Sequence, residues 1–172
     1  QLPSWEGDLP ASNTFTGSTY IGSEDCLYLN VWSPAFAVDA IPTGDNRLPV
    51  MVWIHGGGNI YNYGGCNGGG HNLAVSQNII VVAMNYRLGA FGWLSHPAFQ
   101  ELATTPEDAS GNFGTLDIIQ ALQWVQDNIA AFGGDSSRVT VFGNSAGSWN
   151  GLSLLCSPKA QGLFHGVIAQ SG

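Results

Sequence analysis

The stretch VTVFGNSAG, residues 139–147, joins a run of β-branched residues to a Gly-x-Ser-x-Gly motif. A helical pattern of small and apolar residues follows it. This order predicts that Ser145 lies on a sharp strand-to-helix turn with its hydroxyl exposed, a nucleophile elbow. Gly143 and Gly147 would leave room for close packing around that turn. In a chain with 24 glycines, the same motif can also arise as an ordinary tight turn.

A second glycine motif, His-Gly-Gly-Gly at residues 55–58, follows an apolar run that predicts a strand over residues 49–54. Three successive glycines cost backbone entropy, so this position must need bare amides or positive φ angles. The amides of Gly57 and Gly58, with that of Ala146, would form an oxyanion hole for acyl transfer. The alternative is a flexible glycine-rich loop. The sequence contains neither Gly-x-Gly-x-x-Gly nor Gly-Lys-Ser/Thr, which argues against a phosphate-binding loop.

Further runs complete an alternation of strands and helices. Besides the elbow strand, the pattern predicts strands over residues 27–32, 49–54, 78–86 and 166–170 and a helix over 116–132, with 135–138 as the turn into the elbow strand. Residues 1–22, 34–49 and the glycine cluster 64–70 are predicted to be loops. Such an alternation is typical of an α/β fold with a mostly parallel sheet flanked by helices. No linker divides residues 1–172, so a single domain is expected.

Composition excludes several classes of protein. The 172 residues are 44% hydrophobic and only 9% charged, which suits a buried core rather than a disordered segment. A net charge of −8 argues against nucleic acid or an anionic membrane surface as a partner. The longest apolar run, Ile79 to Met84, is too short to cross a bilayer. His55 and His71 lack metal-ligand spacing, and no metal or organic cofactor is expected.

Arg87 directly follows the predicted strand over residues 78–86 and is one of only three arginines. An arginine beside a buried strand normally needs a partner. Asp117, in the first turn of the next predicted helix, is the best candidate for a structural ion pair. The alternative is that Asp117 complements only the positive end of that helix.

Six sequence blocks in order carry a resemblance to a known family. They read SEDCLYLN at 23–30, VWIHGGG at 52–58, NYRLGAFG at 85–92, GNFG at 111–114, GNSAG at 143–147 and QSG at 170–172. From about Ser23 to Gly172, the chain resembles the type-B carboxylesterase/lipase family of cholinesterase-like α/β-hydrolases. The resemblance implies that Ser145 is the nucleophile and that the amides of Gly57, Gly58 and Ala146 form the oxyanion hole.

The same resemblance bears on Arg87, Asp117 and the cysteines. It implies the structural ion pair between Arg87 and Asp117, and a disulfide between Cys26 and a cysteine upstream of Gln1. That disulfide would account for the odd number of cysteines, which is three. It would also favour an oxidising location, secreted or periplasmic.

Two departures from the family pattern affect the expected chemistry. Asn144 stands where the family usually has Glu, so a negative charge beside the nucleophile is missing and cationic esters are disfavoured as substrates. In this fold, the triad follows the order Ser, acid, His. The sequence has no Asp or Glu after Ser145, and His165 lies in a segment that resembles a structural part of the family. The chain is therefore expected to be the N-terminal portion of one α/β-hydrolase domain, inactive alone, with the acid and the histidine beyond Gly172.

The resemblance implies a serine carboxylesterase that hydrolyses small-molecule esters through an acyl-enzyme on Ser145. The alternative is a non-catalytic, cholinesterase-like binding protein similar to the neuroligins. Such proteins usually lack the nucleophile, whereas the elbow and the oxyanion glycines are both present here, which favours the enzyme. A lipase is a further possibility within the enzyme hypothesis, because acyl-chain preference depends on pocket residues.

Overall fold

The structure, a computed structural model, describes residues 15–16, 19–20, 22–37, 39–65 and 69–172. Its described strands are β1 Phe15–Thr16, β2 Thr19–Tyr20, β3 Leu29–Trp32, β4 Leu48–Ile54, β5 Ile80–Met84, β6 Gly134–Asn144 and β7 Gly166–Gln170. Strands β1 and β2 form a two-stranded antiparallel pair. The other five form one sheet in the order β3-β5-β4-β6-β7. Only β3 runs antiparallel to its neighbour, so the sheet is mostly parallel, as predicted.

Helices cover both faces of this sheet. They are α1 His71–Gln77, α2 Gly89–Gly92, α3 Pro97–Leu102, α4 Pro106–Ser110, α5 Phe113–Asn128 and α6 Ala146–Leu155, with 3-10 turns at Gly44–Asn46, Ile129–Phe132 and Pro158–Ala160. Within the part of the chain that the structure describes, no helix is both long and apolar enough to cross a membrane.

Strand β4 shows how the sheet separates two hydrophobic clusters. Val50, Val52 and Ile54 belong to the large core that includes residues of α5 and α6. Met51 packs instead against the smaller cluster on α1. This is the alternation expected for a strand, because successive side chains point to opposite faces. The sheet thus has a core on each side, and the central position of β4 brings its carboxyl end beside that of β6.

The predicted α/β class is confirmed, and the strand predicted over residues 166–170 matches β7. The prediction that residues 135–138 form a turn is wrong, because β6 begins at Gly134 and includes them. The pairing of β4 with β6 is irregular beside these polar residues. Leu48 pairs with Gly134, and the register shifts before Val50. Part of β6 therefore tolerates exposed polar side chains.

Other element boundaries shift by a few residues. Helix α5 begins at Phe113 and ends at Asn128, continuing as the 3-10 turn, whereas the prediction was 116–132. The predicted loop over residues 1–22 is wrong at β1 and β2, which pair with each other; residues 1–14, 17–18 and 21 lie outside the described residues. Of the glycine cluster at 64–70, residues 66–68 also lie outside them.

Candidate active site

Ser145 occupies a strained turn between β6 and α6. Its backbone has φ 55° and ψ −122°, a combination that L-residues rarely adopt. The turn is held by a hydrogen bond from the Ser145 amide to the Gln170 carbonyl at the end of β7, at 2.8 Å. The side chain is exposed, and α6 begins at the next residue, Ala146. A hydroxyl at this place lies at the positive end of a helix dipole.

The glycines around Ser145 are required by close backbone contacts. A Cβ atom on Gly143 would collide with the carbonyl of Gly147, and one on Gly147 would collide with the carbonyl of Ile54. A Cβ atom on Gly56 would lie 2.7 Å from the Asn144 carbonyl oxygen and 3.3 Å from the Ser145 Cβ. The turn after β6 and the loop after β4 are therefore packed directly against each other, backbone to backbone.

The loop after β4 contains three consecutive residues with positive φ: Gly57 at 110°, Gly58 at 62° and Asn59 at 59°. Gly57 closes a turn, since its carbonyl accepts hydrogen bonds from the amides of Ile60 at 3.0 Å and Tyr61 at 3.2 Å. The left-handed backbone explains the glycines, because a side chain there is strained. No backbone acceptor is recorded for the amides of Gly57 and Gly58 among the described residues.

His55, the first residue of this loop, is fully buried. Its ring stacks on Tyr86 with a centroid distance of 4.3 Å. Its Nδ1 lies 2.8 Å from the Gly56 carbonyl oxygen, and the Tyr86 hydroxyl donates to the His55 carbonyl at 2.6 Å. Burial lowers the pKa of His55 from 6.5 to about 4, although the hydrogen bond to Gly56 opposes this shift. The imidazole is therefore neutral at pH 7, and its Nδ1–H donates to Gly56 to support the loop.

Arg87 and Asp117 are brought together. The Arg87 Nε and Nη2 donate to the two carboxylate oxygens of Asp117, each at 2.8 Å, and the Arg87 amide donates to the same carboxylate at 3.0 Å. The guanidinium also lies over the Phe113 ring, 5.2 Å from its centroid. The hydrogen bond to Asp117 is the largest cause that raises the pKa of Arg87. This pair fixes the segment after β5 to helix α5, away from Ser145.

His165 and Cys26 lie apart from the elbow. The His165 Nδ1 accepts from the Val139 amide at 3.2 Å, and Val139 precedes Asn144 by five residues of β6, about 16 Å of strand. His165 is thus too far from Ser145 to be its base. Cys26 is buried and lines a cavity of about 320 Å³ with Arg87 and other residues; its disulfide stays a prediction. In the described ranges, no group of His, Cys, Asp and Glu is suited to a metal ion.

Three residues of the site were not singled out in the sequence. Tyr86 holds the His55 carbonyl, and Asn59 exchanges hydrogen bonds with Asn150 of α6, which lies 91 residues away in the chain. A signal existed for Asn59 alone, because an asparagine after glycines suits a left-handed backbone. Its partner could not be identified, since no local pattern links residues so far apart.

Comparison with known proteins places this geometry in a family. The sequence profile of the carboxylesterase family matches residues 4–172. Carboxylesterase 1D of Rattus norvegicus is 48% identical over 150 residues, which cover 87% of this chain and 24% of that protein. Cocaine esterase of Homo sapiens is also 48% identical, with the same coverage. The chain thus spans about a quarter of the length of these relatives.

Solved structures agree with the sequence relatives. A PNB esterase superposes with a TM-score of 0.75 at 44% identity, covering 96% of this chain and 32% of the esterase. A thermophylic PNB esterase gives a TM-score of 0.74 at 46% identity, covering 89% of this chain and 29% of that chain. Together with the parallel sheet and the strand-turn-helix at Ser145, these matches confirm the α/β-hydrolase fold. The chain belongs to the carboxylesterase family.

Proposed function

We propose that the protein is a serine carboxylesterase in which Ser145 is the nucleophile. The observation that carries the proposal is the strained, exposed Ser145 at the head of α6, packed beside a loop of left-handed glycines. This is the arrangement that acyl transfer needs, because the attacking oxygen and the amides that receive the developing charge must converge on one carbonyl group. The amides of Gly57, Gly58 and Ala146 are the proposed donors.

The chemistry proceeds in two stages. A histidine takes the proton of the Ser145 hydroxyl as its oxygen attacks the ester carbonyl, and the carbonyl oxygen becomes an anion held by the three amides. The intermediate collapses, the histidine returns the proton to the departing alcohol, and an acyl-enzyme remains on Ser145. Water then attacks the acyl group by the same route and releases the acid. The helix dipole of α6 adds to the stabilisation of the anion near Ala146.

We infer that the acid and the histidine of the triad lie in sequence beyond Gly172. Two observations support this inference: His165 contacts Val139, about 16 Å of strand before the elbow, and no Asp or Glu follows Ser145. The relatives are about four times as long as the matched segment. Residues 1–172 would then be the N-terminal portion of a single domain, without steady-state esterase activity of its own.

The substrate is proposed to be a neutral carboxylic ester. Asn144 is exposed and carries no charge, and its Nδ2 lies 3.5 Å from the Gln170 carbonyl oxygen, so the residue beside the nucleophile offers nothing to attract a cation. The relatives include proteins named carboxylesterase and cocaine esterase, which supports an ester as the substrate class. The proposed disulfide of Cys26 would suit a secreted or periplasmic protein. The intact elbow disfavours a non-catalytic binding protein.

The test is active-site labelling of the full-length protein. A fluorophosphonate probe should form one adduct, located by peptide mass at Ser145, and the protein should hydrolyse p-nitrophenyl esters. Ser145→Ala should lower turnover by about five to six orders of magnitude while preserving the thermal unfolding midpoint. Ser153→Ala, an exposed serine in the same helix, is the matched control and should stay active. A folded wild-type protein that neither labels nor turns over ester would refute the proposal.

A further inference from the structure

An amide pair joins the two elements that carry the donors of the proposed oxyanion hole. The Asn150 Nδ2 donates to the Asn59 Oδ1 at 2.9 Å, and the Asn59 Nδ2 lies 3.4 Å from the Asn150 Oδ1. Asn59 belongs to the loop after β4, and Asn150 belongs to α6. We propose that this pair, the asparagine clasp, positions the loop amides relative to the Ala146 amide. The inference rests on the proposed function, since it concerns the same oxyanion hole.

The position of Asn150 on α6 suits this role. Ala146 is the first residue of α6, and Asn150 lies four residues later, so the two lie one turn apart on the same side of the helix. Asn150 is only 7% exposed, and its described hydrogen bonds go to Asn59. A displacement of Asn150 would therefore also displace Ala146, which lies on the same face of the helix.

Asn59 is fixed on the loop side by its backbone. Its φ of 59° lies in the left-handed region, which asparagine tolerates better than most residues. Its carbonyl accepts from the Gly89 amide at 2.6 Å, and the Tyr86 hydroxyl lies 3.5 Å from its Oδ1. Because Gly58 precedes it directly, fixing Asn59 limits the positions that Gly58 and its amide can take. Asparagine therefore meets two demands here: a left-handed backbone and an amide that reaches α6.

The clasp matters because the oxyanion donors act only at short range. The amides must lie about 2.7–3.1 Å from the oxygen that becomes negative, and removal of one donor costs about a hundredfold or more in turnover. A loosened donor should cost less than a missing one. A buried amide that loses its partner is also penalised, and the net effect corresponds to about a tenfold loss. The loss should fall on the transition state, where the oxyanion exists, and not on substrate binding.

The experiment compares variants of the full-length protein in ester hydrolysis. Asn59→Gly keeps the left-handed backbone and removes the amide, and Asn150→Ala removes it from the helix side. Each should lower kcat about tenfold with KM changed by less than about twofold. The inhibition constant of a trifluoromethyl ketone, which binds Ser145 as a tetrahedral oxyanion adduct, should rise by the same factor.

Asn78→Gly is the matched control, because Asn78 has φ 53°, is exposed and lies at the C-terminal end of α1, outside the loop. The double variant Asn59→Gly/Asn150→Ala should be no slower than the slower single variant, because both lose the same contact. Folded single variants with unchanged kcat, or with losses that multiply, would overturn the clasp while leaving Ser145 as nucleophile intact. An inactive wild-type protein would overturn both the proposed function and the clasp. If the wild-type protein is active and Ser145→Ala is inactive, the proposed function stands, and the variants of Asn59 and Asn150 then test the clasp alone. If Asn59→Gly fails to fold, Asn150→Ala alone decides.

Discussion

The elbow after β6 and the loop after β4 lie side by side at the same edge of the sheet, yet they are held in different ways. At the elbow, one strained residue is enclosed by backbone contacts that leave no space for a Cβ atom on Gly143 or Gly147. In the loop, a Cβ atom on Gly58 would meet nothing nearer than the Ile60 side chain at 4.0 Å. The elbow is thus enforced by steric exclusion at both of its glycines, whereas in the loop a Cβ atom would collide at Gly57 but not at Gly58. Changes at the elbow should therefore disrupt the fold, and changes in the loop should differ in effect from one position to the next.

The largest effect is expected from Gly147→Ala in the full-length protein. The added methyl group would overlap the carbonyl oxygen of Ile54. This oxygen is part of the backbone of β4 and cannot rotate away as a side chain could. We expect a loss of about 4 kcal/mol or more in the free energy of unfolding, measured by urea denaturation. Gly151→Ala is the control in the same helix, because its nearest contact would be the Val167 Cγ1 at 3.4 Å. That variant should be neutral or slightly stabilising. Equal losses at both positions would remove the steric account of the elbow.

The next effect concerns the pH dependence of the loop support. Because the folded-state pKa of His55 is about 4 and its ordinary value is 6.5, the unfolded chain binds a proton first as pH falls. This contribution to stability is fully present above pH 6.5 and is lost between pH 6.5 and 4, by about 3 kcal/mol in total. His55→Phe keeps a ring against Tyr86 but cannot be protonated, so its unfolding free energy should change less over that range. His71→Phe, the same substitution at an exposed site, is the matched control. Parallel slopes for all three proteins would contradict the assignment.

Within the loop, the two glycines should differ. A Cβ atom on Gly57 would collide with the Tyr61 carbonyl, whereas Gly58 has space and only a positive φ of 62°. We expect Gly57→Ala to lower kcat about a hundredfold, because the amide is displaced. Gly58→Ala should lower kcat about tenfold, because its cost is backbone strain of about 1–2 kcal/mol. Steady-state kinetics on p-nitrophenyl esters would measure both. A larger loss of kcat in Gly58→Ala than in Gly57→Ala would show that the space at Gly58 also limits the conformation of the loop.

The smallest effect should come from Asp117→Asn. The Asp117 side chain is only 6% exposed, but Arg87 is 36% exposed, so solvent screens part of the interaction. We expect a loss of about 1–2 kcal/mol in unfolding free energy. The effect on kcat should be small, because the neighbouring Tyr86 and Gly89, and not the ion pair itself, make the described hydrogen bonds from this segment to Asn59 of the loop. Asp135→Asn, in a more exposed pair with Arg138, should lose less stability. A larger loss at Asp135 would contradict this ranking.

Local patterns predicted the strands of the large sheet and helices α5 and α6, but not helices α1 to α4 or the contacts between the elements. The apolar runs of β4 and β7 predicted strands that the structure contains. The start of β6 was missed because the residues from Asp135 to Arg138 are polar, and only the irregular pairing at Leu48 makes them a strand. The turn at Ser145 followed from the local Gly-x-Ser-x-Gly motif, although the steric need for Gly147 comes from the Ile54 carbonyl of β4. The burial of His55 and the bond between Asn59 and Asn150 depend on tertiary packing, and a sequence pattern carries no signal for them.

The pairing of β4 with β6 also has a kinetic consequence. Ile54 pairs with Gly143, so bringing the two halves of the site together requires closing a segment of about 90 residues. Such non-local parallel pairing is slow to form, because chain entropy is lost before any contact compensates for it. During refolding from denaturant, esterase activity should therefore return with the slowest global phase, later than the helical signal of α5 and α6. Until β4 and β6 pair, the chain has the complete sequence motif around Ser145, but the loop after β4 does not yet lie beside it.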